Sequence, residues 1–473
     1  MIQRIVYTLL LLVLALVAVP FGANRMWAWG LLAVLVGTML LPMAAAAFLR
    51  PGTLTVAWNH YRWLATGYLL VLVWMIVQAL PGLPEFLHHP VWRQASAAPG
   101  QALPGTIAVN PAAAAGETAK FAAYGGIFWL ALQFGGHDAR ARVMLWVILL
   151  AAAVNALYGL AVYFSGNATI LWFPKWAFPE FLSSTFVNRN HFATYAALAL
   201  LIGFGLLVEE LRRISAGISL RSIAGILRAT EALDFRLYLL LGLIGMIALA
   251  MVFTASRGAM VATAGGVIGF LLCASRSSKV SGLRILRFGA ALALGGVAVL
   301  ALTGDKLASR IEAIAFHSSS RLNVFEATMQ LILERPFLGI GGGGFEGMFH
   351  SVRPDQMNAE SAIYAHAHNT YLEFGLEHGL PALMIMLVLS ALLVLVFLRG
   401  AARRKRNDLI PAIGAGATVL VAMHAFVDFS LEIPAVAVTY VAIAGVCFAQ
   451  SFPHRVRTGT QEAPSEDIKA PGS

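Results

Sequence analysis

The sequence predicts an all-α polytopic membrane protein with about 12 transmembrane helices. Of the 473 residues, 59% are hydrophobic and only 12% are charged, and the mean hydropathy is +0.76. That composition excludes an ordinary soluble globular protein. Apolar stretches recur at close to the roughly 20 residues that cross the hydrocarbon core of a bilayer. They lie approximately at residues 5–21, 26–49, 64–80, 119–134, 143–164, 191–208, 237–253, 259–274, 289–302, 380–397, 409–427 and 435–450.

The basic residues between these stretches predict the orientation. With the N-terminus in the cytoplasm, 22 of the 33 Lys and Arg residues fall on cytoplasmic segments, as the positive-inside rule requires. Both termini are then cytoplasmic. The net charge of +10 reflects this topology and not a nucleic-acid partner, because the basic residues are spread between the spans. Cys273 and Cys447 both lie in apolar stretches, so neither a disulfide framework nor a thiolate metal site is predicted.

The chain divides into one large unit and a tail. Residues 1–450 are predicted to form a single transmembrane domain, and the polar residues 451–473 a disordered cytoplasmic tail. Residues 209–236 carry apolar residues at helical spacing between arginines, which predicts a helix on the cytoplasmic surface. Residues 81–118 are rich in Pro and Ala and are predicted to be an irregular external loop.

The longest external segment, residues 303–379 between the ninth and tenth spans, concentrates ionisable residues. An amphipathic helix that ends before Pro336 is predicted in it from four apolar residues at helical spacing. These residues are Leu322, Phe325, Met329 and Ile332. A second helix is predicted from His366 through Glu377, with Gly379 as its C-terminal cap. That helix would place His368, Leu372 and Gly375 along one stripe.

Three external basic residues are candidates for the chemistry: Arg257, Arg321 and His368. An arginine buried in a bilayer costs roughly 2.5 to 3.5 kcal/mol on insertion scales, so it usually faces a cavity and a partner. Guanidinium groups grip phosphate oxygens two at a time, so two of them could neutralise a lipid-anchored pyrophosphate. The alternative is that Arg257 merely extends to the membrane interface.

His368, followed by Asn369, is a candidate general base, because a neutral imidazole can accept a proton from a sugar hydroxyl at physiological pH. The alternative is a structural histidine. His366 and His378 lie nearby, but their spacing is not that of a zinc protease and no HExxH is present, so no metal site is predicted. The chain also lacks the D-x-D pair of a metal-dependent nucleotide-sugar transferase.

Two further segments have open interpretations. The glycine run at residues 339–344 could form an anion-binding nest of backbone N–H groups or a flexible turn. The four polar residues before the sixth span could line a sugar site or cap the span. They are Asn188, Arg189, Asn190 and His191.

These patterns resemble the O-antigen ligase and O-antigen polymerase superfamily of bacterial envelope glycosyltransferases. His368-Asn369, nine residues and then Gly379 follow the H-[N/S/Q]-x9-G-x-x-G signature of the ligases, although Ala382 stands where the last glycine is expected. The resemblance covers roughly residues 180–450. Supporting matches are Ser256-Arg257-Gly258, Arg321 with Arg335-Pro336-Phe337-Leu338-Gly339-Ile340-Gly341, Asn188-Arg189-Asn190-His191-Phe192, and Asp428 with Pro434.

The resemblance implies a GT-C-like enzyme of the bacterial inner membrane, with its catalytic loop at residues 303–379 facing the periplasm. It would transfer a glycan from undecaprenyl pyrophosphate to an acceptor hydroxyl with inversion and without a metal or other cofactor. Arg257 and Arg321 would bind the pyrophosphate, and His368 would activate the acceptor with Asn369 and Glu377 as support. The polar residues 188–191 would bind substrate.

The resemblance leaves the acceptor open. A ligase transfers the finished chain to lipid A-core, a polymerase extends the chain on lipid-linked repeats, and some relatives glycosylate secreted proteins. Because Ala382 replaces the last glycine of the ligase signature, an exopolysaccharide polymerase is nearly as well supported as a lipopolysaccharide ligase. A flippase for the lipid-linked glycan is the alternative from another class, but it would need charged residues at the midplane of several spans.

Overall fold

The computed structural model describes residues 1–49, 54–97, 103–215, 234–277, 307–353, 364–404 and 407–452, with side chains for all of these except 215 and 307–320. In these ranges every long element is an α-helix. The helices are α1 (Ile2–Leu16), α2 (Met26–Leu49), α3 (Trp58–Ala79), α4 (Val91–Ala97), α5 (Pro111–Gly135), α6 (Asp138–Phe164), α7 (Arg189–Ser215), α8 (Phe235–Phe253), α9 (Arg257–Ala274), α10 (Leu307–Glu334), α11 (Phe345–Val352), α12 (Thr370–His378), α13 (Leu380–Arg403), α14 (Leu409–His424) and α15 (Pro434–Ala449). One small antiparallel hairpin, β1 (Thr169–Ile170) with β2 (Phe173–Pro174), was not predicted.

Seven helices in the described ranges are long and apolar enough to cross a membrane: α2, α3, α6, α7, α8, α9 and α13. Helices α1, α14 and α15 are shorter and also apolar. The structure therefore agrees with a multi-pass, all-helical membrane protein. The predicted ninth span, residues 289–302, lies outside the described residues, as do residues 216–233 of the predicted surface helix and residues 453–473 of the tail. The total of 12 spans and the GT-C-like arrangement remain predictions.

Successive helix ends meet at two opposite ends of the bundle, as alternating spans require. At the end predicted to be external, Leu182 N–H donates to the Phe253 carbonyl (3.1 Å) and Thr370 N–H donates to the Ala425 carbonyl (3.0 Å). At the opposite end, ion pairs join the helices, among them Arg142–Glu209 (2.7 Å), Arg212–Asp408 (2.9 Å) and Arg404–Asp138 (3.5 Å).

The segment before α13 has its own apolar core, in which α10 packs on α11 and α12. The buried face of α10 agrees only in part with the predicted one: Ile332 is buried, whereas Leu322 and Met329 are 62% and 45% exposed. The prediction was right that the helix stops before Pro336. A 3.6-residue period does not decide between two neighbouring apolar faces, and here the inner face is that of Val324, Ala327, Thr328, Leu331 and Ile332.

The predicted second helix begins later than expected. The side-chain oxygen of Asn369 accepts hydrogen bonds from the N–H groups of Tyr371 (3.0 Å) and Leu372 (3.1 Å), so Asn369 is the N-cap of α12. His368 therefore lies before the helix, with φ +53°. The predicted stripe through His368, Leu372 and Gly375 is wrong at its first member for this reason.

Gly379 ends α12 as predicted, with φ +83° and ψ 158°, a backbone region that is essentially restricted to glycine. A Cβ there would lie 2.5 Å from the Phe337 carbonyl oxygen. We expect Gly379→Ala to lower the free energy of unfolding by about 3 kcal/mol, measured by thermal unfolding of the purified protein in detergent.

Ala382→Gly is the matched control for Gly379→Ala. Ala382 lies within α13, is buried and packs with Val71 and Met75. Glycine in a helix interior costs roughly 1 kcal/mol relative to alanine, so this variant should unfold only slightly earlier than wild type. Equal losses in the two variants would contradict a special backbone role for Gly379.

Candidate functional site

The site is built around Asp428, which lies between α14 and α15 and is 1% exposed. Its carboxylate accepts a short hydrogen bond from the Ser430 hydroxyl and a longer one from the Asn190 amide (3.4 Å). His191 Nε2 and His424 Nδ1 each lie 3.8 Å from the same carboxylate oxygen. Burial alone would raise the pKa of Asp428, but the two histidines and the Ser430 hydrogen bond lower it below its ordinary value. Asp428 is therefore a buried anion.

Next to Asp428, the ring of Phe429 contacts three imidazoles. His366 stacks on it, with ring centroids 4.1 Å apart and an interplanar angle of 18°. His368 and His191 meet the ring edge-on, at 5.1 Å and 4.7 Å. Two segments of the chain thus bring their histidines to one aromatic side chain beside the buried carboxylate.

His368, the candidate general base, has a ring nitrogen that no group of the described residues hydrogen-bonds. Its Nδ1 is buried and has no hydrogen-bond partner among the described residues, which is uncommon for a buried polar atom. Its backbone adopts a left-handed conformation that is costly for a non-glycine residue. Burial lowers the pKa of His368, and the charge of Arg321 adds to this against the opposing charge of Asp428. The lowered pKa favours the neutral imidazole, the form that can accept a proton.

Arg321 lies in α10, and Arg257 is the first residue of α9, next to Gly258, which lies near His424. Both arginine side chains are exposed, and within the described ranges neither forms an ion pair with a carboxylate. Arg321 acts electrostatically on both His368 and His424. A Cβ added at Gly258 would lie 3.3 Å from His424 Nε2, so the start of α9 packs closely against His424. Both guanidinium groups are available to an anion.

The four polar residues 188–191 have different roles in the structure. Asn188 caps α7, since its side-chain oxygen accepts the N–H of Asn190 (2.9 Å). Asn190 and His191 belong to the cluster around Asp428. The capping interpretation therefore holds for Asn188, and a sugar-binding role of Asn190 and His191 stays a prediction.

Arg189 holds the turn that leads to Arg257. Its guanidinium lies 3.8 Å from the centroid of the Phe181 ring and donates to the carbonyls of Thr254 (3.2 Å) and Ala255 (3.4 Å). Ala255 has φ +50°, so this turn is strained. These contacts assign Arg189 to the support of the turn.

The other two predicted binding residues support the loop. The Asn369 amide, besides capping α12, donates to the Phe426 carbonyl (3.1 Å). The buried Glu377 carboxyl accepts the N–H of Phe345 (3.3 Å). Burial and then the neighbouring Glu373 carboxylate raise the pKa of Glu377 well above its ordinary value.

The glycine run joins the loop to the neighbouring chain segments. Gly341 N–H donates to the Glu377 carbonyl (2.8 Å), and Ile340 N–H donates to the Leu376 carbonyl (3.1 Å). Val109 of the external loop 81–118 in turn donates to the Ile340 carbonyl (2.8 Å). Because these N–H groups are used internally, the turn interpretation is favoured over the anion nest. Within the described residues, no group of three His, Cys, Asp or Glu side chains is placed to hold a metal ion.

Several residues of the cluster were not predicted as site residues: His366, Glu373, His424, Asp428 and Phe429. For two of them, the sequence contains a pattern that could have indicated a functional role. His424 and Asp428 lie four residues apart at the end of an apolar stretch, where ionisable side chains are costly and usually functional.

Part of the chain is similar to a known protein family. Residues 241–387 match a family model described as O-Antigen ligase. The matched region includes Arg257, Arg321 and His368 and ends before Asp428. No curated protein matches the chain.

Proposed function

We propose that this membrane protein is a glycosyltransferase of the O-antigen ligase and polymerase superfamily. The match of residues 241–387 to the O-Antigen ligase family model supports this proposal. The protein transfers a glycan from undecaprenyl pyrophosphate to an acceptor hydroxyl on the periplasmic side of the bacterial inner membrane, with both termini in the cytoplasm. The observation that supports the proposal most directly is His368 Nδ1, a buried proton acceptor with no partner among the described residues, which feels the charges of Asp428 and Arg321.

The reaction is a single displacement at the anomeric carbon of the glycan. The acceptor oxygen attacks that carbon while its proton passes to His368, and the bond from the carbon to the pyrophosphate oxygen breaks with its electron pair on the pyrophosphate. Arg257 and Arg321 stabilise the departing negative charge. One displacement inverts the anomeric configuration, and the arginines supply the charge that a metal would otherwise supply.

Asp428 supports this chemistry through its negative charge. A buried carboxylate orients the histidines around it and stabilises positive charge on them. As His368 takes up a proton in the transfer, the nearby Asp428 favours the resulting imidazolium.

A lipopolysaccharide ligase that uses lipid A-core as acceptor is the first form of this proposal, and a polymerase that uses lipid-linked repeats is the second. The observation behind the second is Ala382, which replaces a family glycine. Ala382 packs with Val71 and Met75, so the replacement alters helix packing, and the chemistry at His368 is the same for both acceptors.

The test is glycan analysis of a deletion strain that carries wild type, His368→Asn or an empty vector. Full-length polymer stranded on the lipid carrier, in the empty-vector and His368→Asn strains alike, would identify a ligase. Accumulated single lipid-linked repeats would identify a polymerase. Lipid-linked repeats confined to the cytoplasmic leaflet, with His368→Asn behaving as wild type, would instead indicate a flippase and overturn the proposal.

A further inference from the structure

A second histidine of the loop, His366, is held differently from His368. Its Nδ1 lies 2.6 Å from Oε1 of Glu373, a distance typical of a hydrogen bond between charged groups. The other carboxylate oxygen of Glu373 accepts the N–H of Ala367 (2.9 Å). The carboxylate is buried, whereas the His366 side chain is 29% exposed. One face of the pair is thus fixed in the protein and the other is open to a ligand.

The two loop histidines contact the same aromatic ring, that of Phe429. His366 stacks on Phe429 and His368 meets the same ring edge-on. With Nδ1 committed to Glu373, Nε2 is the ring nitrogen of His366 that can donate to a ligand.

The environments of the two histidines push their protonation states apart. Burial alone would lower the pKa of His366, but the charge and the hydrogen bond of Glu373 raise it above its ordinary value. Burial and then neighbouring charges leave the pKa of His368 below its ordinary value. Paired groups with opposite shifts are typical of sites that need one base and one cation. The other titratable groups that interact with His366 are Glu432, Lys120 and His191.

We propose that His366 is a further catalytic residue, an imidazolium held by Glu373 that donates a hydrogen bond through Nε2 to an oxygen of the departing pyrophosphate. This inference rests on the proposed transfer reaction and adds a third cationic group to Arg257 and Arg321. His366 keeps its proton throughout, and the proton of the acceptor hydroxyl still goes to His368.

The proposal fixes the pH dependence of transfer. The rate requires neutral His368, so it falls as the pH drops through the lowered pKa of that residue. It also requires protonated His366, so it falls as the pH rises through the raised pKa of His366. A bell-shaped profile results, and its alkaline limb belongs to His366.

The experiment measures the initial rate of consumption of the lipid-linked donor against pH, in membrane vesicles of a deletion strain that contain the full-length protein. In His366→Asn, the side-chain amide N–H can replace the hydrogen bond to Glu373 without the charge. We expect the rate at neutral pH to fall about 10- to 100-fold and the alkaline limb to disappear. Glu373→Gln removes only the carboxylate charge and should move that limb to lower pH.

Glu432→Gln is the matched control. Burial and nearby carboxylates raise the pKa of Glu432, so its ionisation is the competing origin of an alkaline limb. A limb that survives in His366→Asn and is lost in Glu432→Gln would overturn the assignment of His366, as would a wild-type rate in His366→Asn. A wild type that consumes no donor at any pH would instead refute the transfer reaction itself.

Discussion

Replacing His368 by asparagine is expected to lower the rate of glycan transfer at least about 100-fold, the contribution typical of a general base. The variant removes the imidazole whose Nδ1 is buried and has no hydrogen-bond partner among the described residues. Asparagine tolerates the left-handed backbone that residue 368 adopts, so the loop conformation should be retained. Donor binding should persist, since the arginines are unchanged. Rate and donor affinity can be measured separately on the purified protein in nanodiscs.

His350→Asn is the control for His368→Asn. His350 lies in α11 of the same segment, and its side chain is exposed. It should transfer glycan at the wild-type rate. If His368→Asn folds like wild type and keeps more than about a tenth of its activity, the assignment of His368 as the base is wrong.

The second large effect is expected at the two arginines. Arg257→Ala and Arg321→Ala should each reduce kcat/KM about 100-fold, as the loss of one preorganised donor does in other enzymes. Neither side chain has a carboxylate partner within the described ranges, so little folding stability should be lost. Lysine at either position should recover only part of the activity, because a point charge replaces a two-pronged donor.

Arg93→Ala is the control for this prediction. Arg93 lies in the external loop 81–118 and forms an exposed ion pair with Glu85, 3.4 Å apart. Removing a surface pair of this kind changes little. If Arg257→Ala binds and consumes donor as wild type does, Arg257 serves only to reach the membrane interface, and the pyrophosphate site must be sought around Arg321.

Local properties of the chain were predictable. A long apolar stretch predicts a helix because a chain that crosses a bilayer must form its backbone hydrogen bonds within itself. The described helices fall on 11 of the 12 predicted stretches. The end of α10 before Pro336 and the end of α12 at Gly379 follow from backbone geometry that these residues impose by themselves. The candidate residues Arg257, Arg321 and His368 could be singled out because ionisable side chains are rare in so apolar a chain.

Tertiary structure decided the rest. Asn190 meets Asp428 across 238 positions of the chain, and no local pattern encodes such a contact. The sharing of Phe429 by three histidines, and the choice between the two faces of α10, depend on which surface a neighbouring helix presents. The sequence by itself therefore determined where the helices lie and which side chains could react. Packing decided which of them meet, because burial and electrostatic pairing act between segments that are distant along the chain.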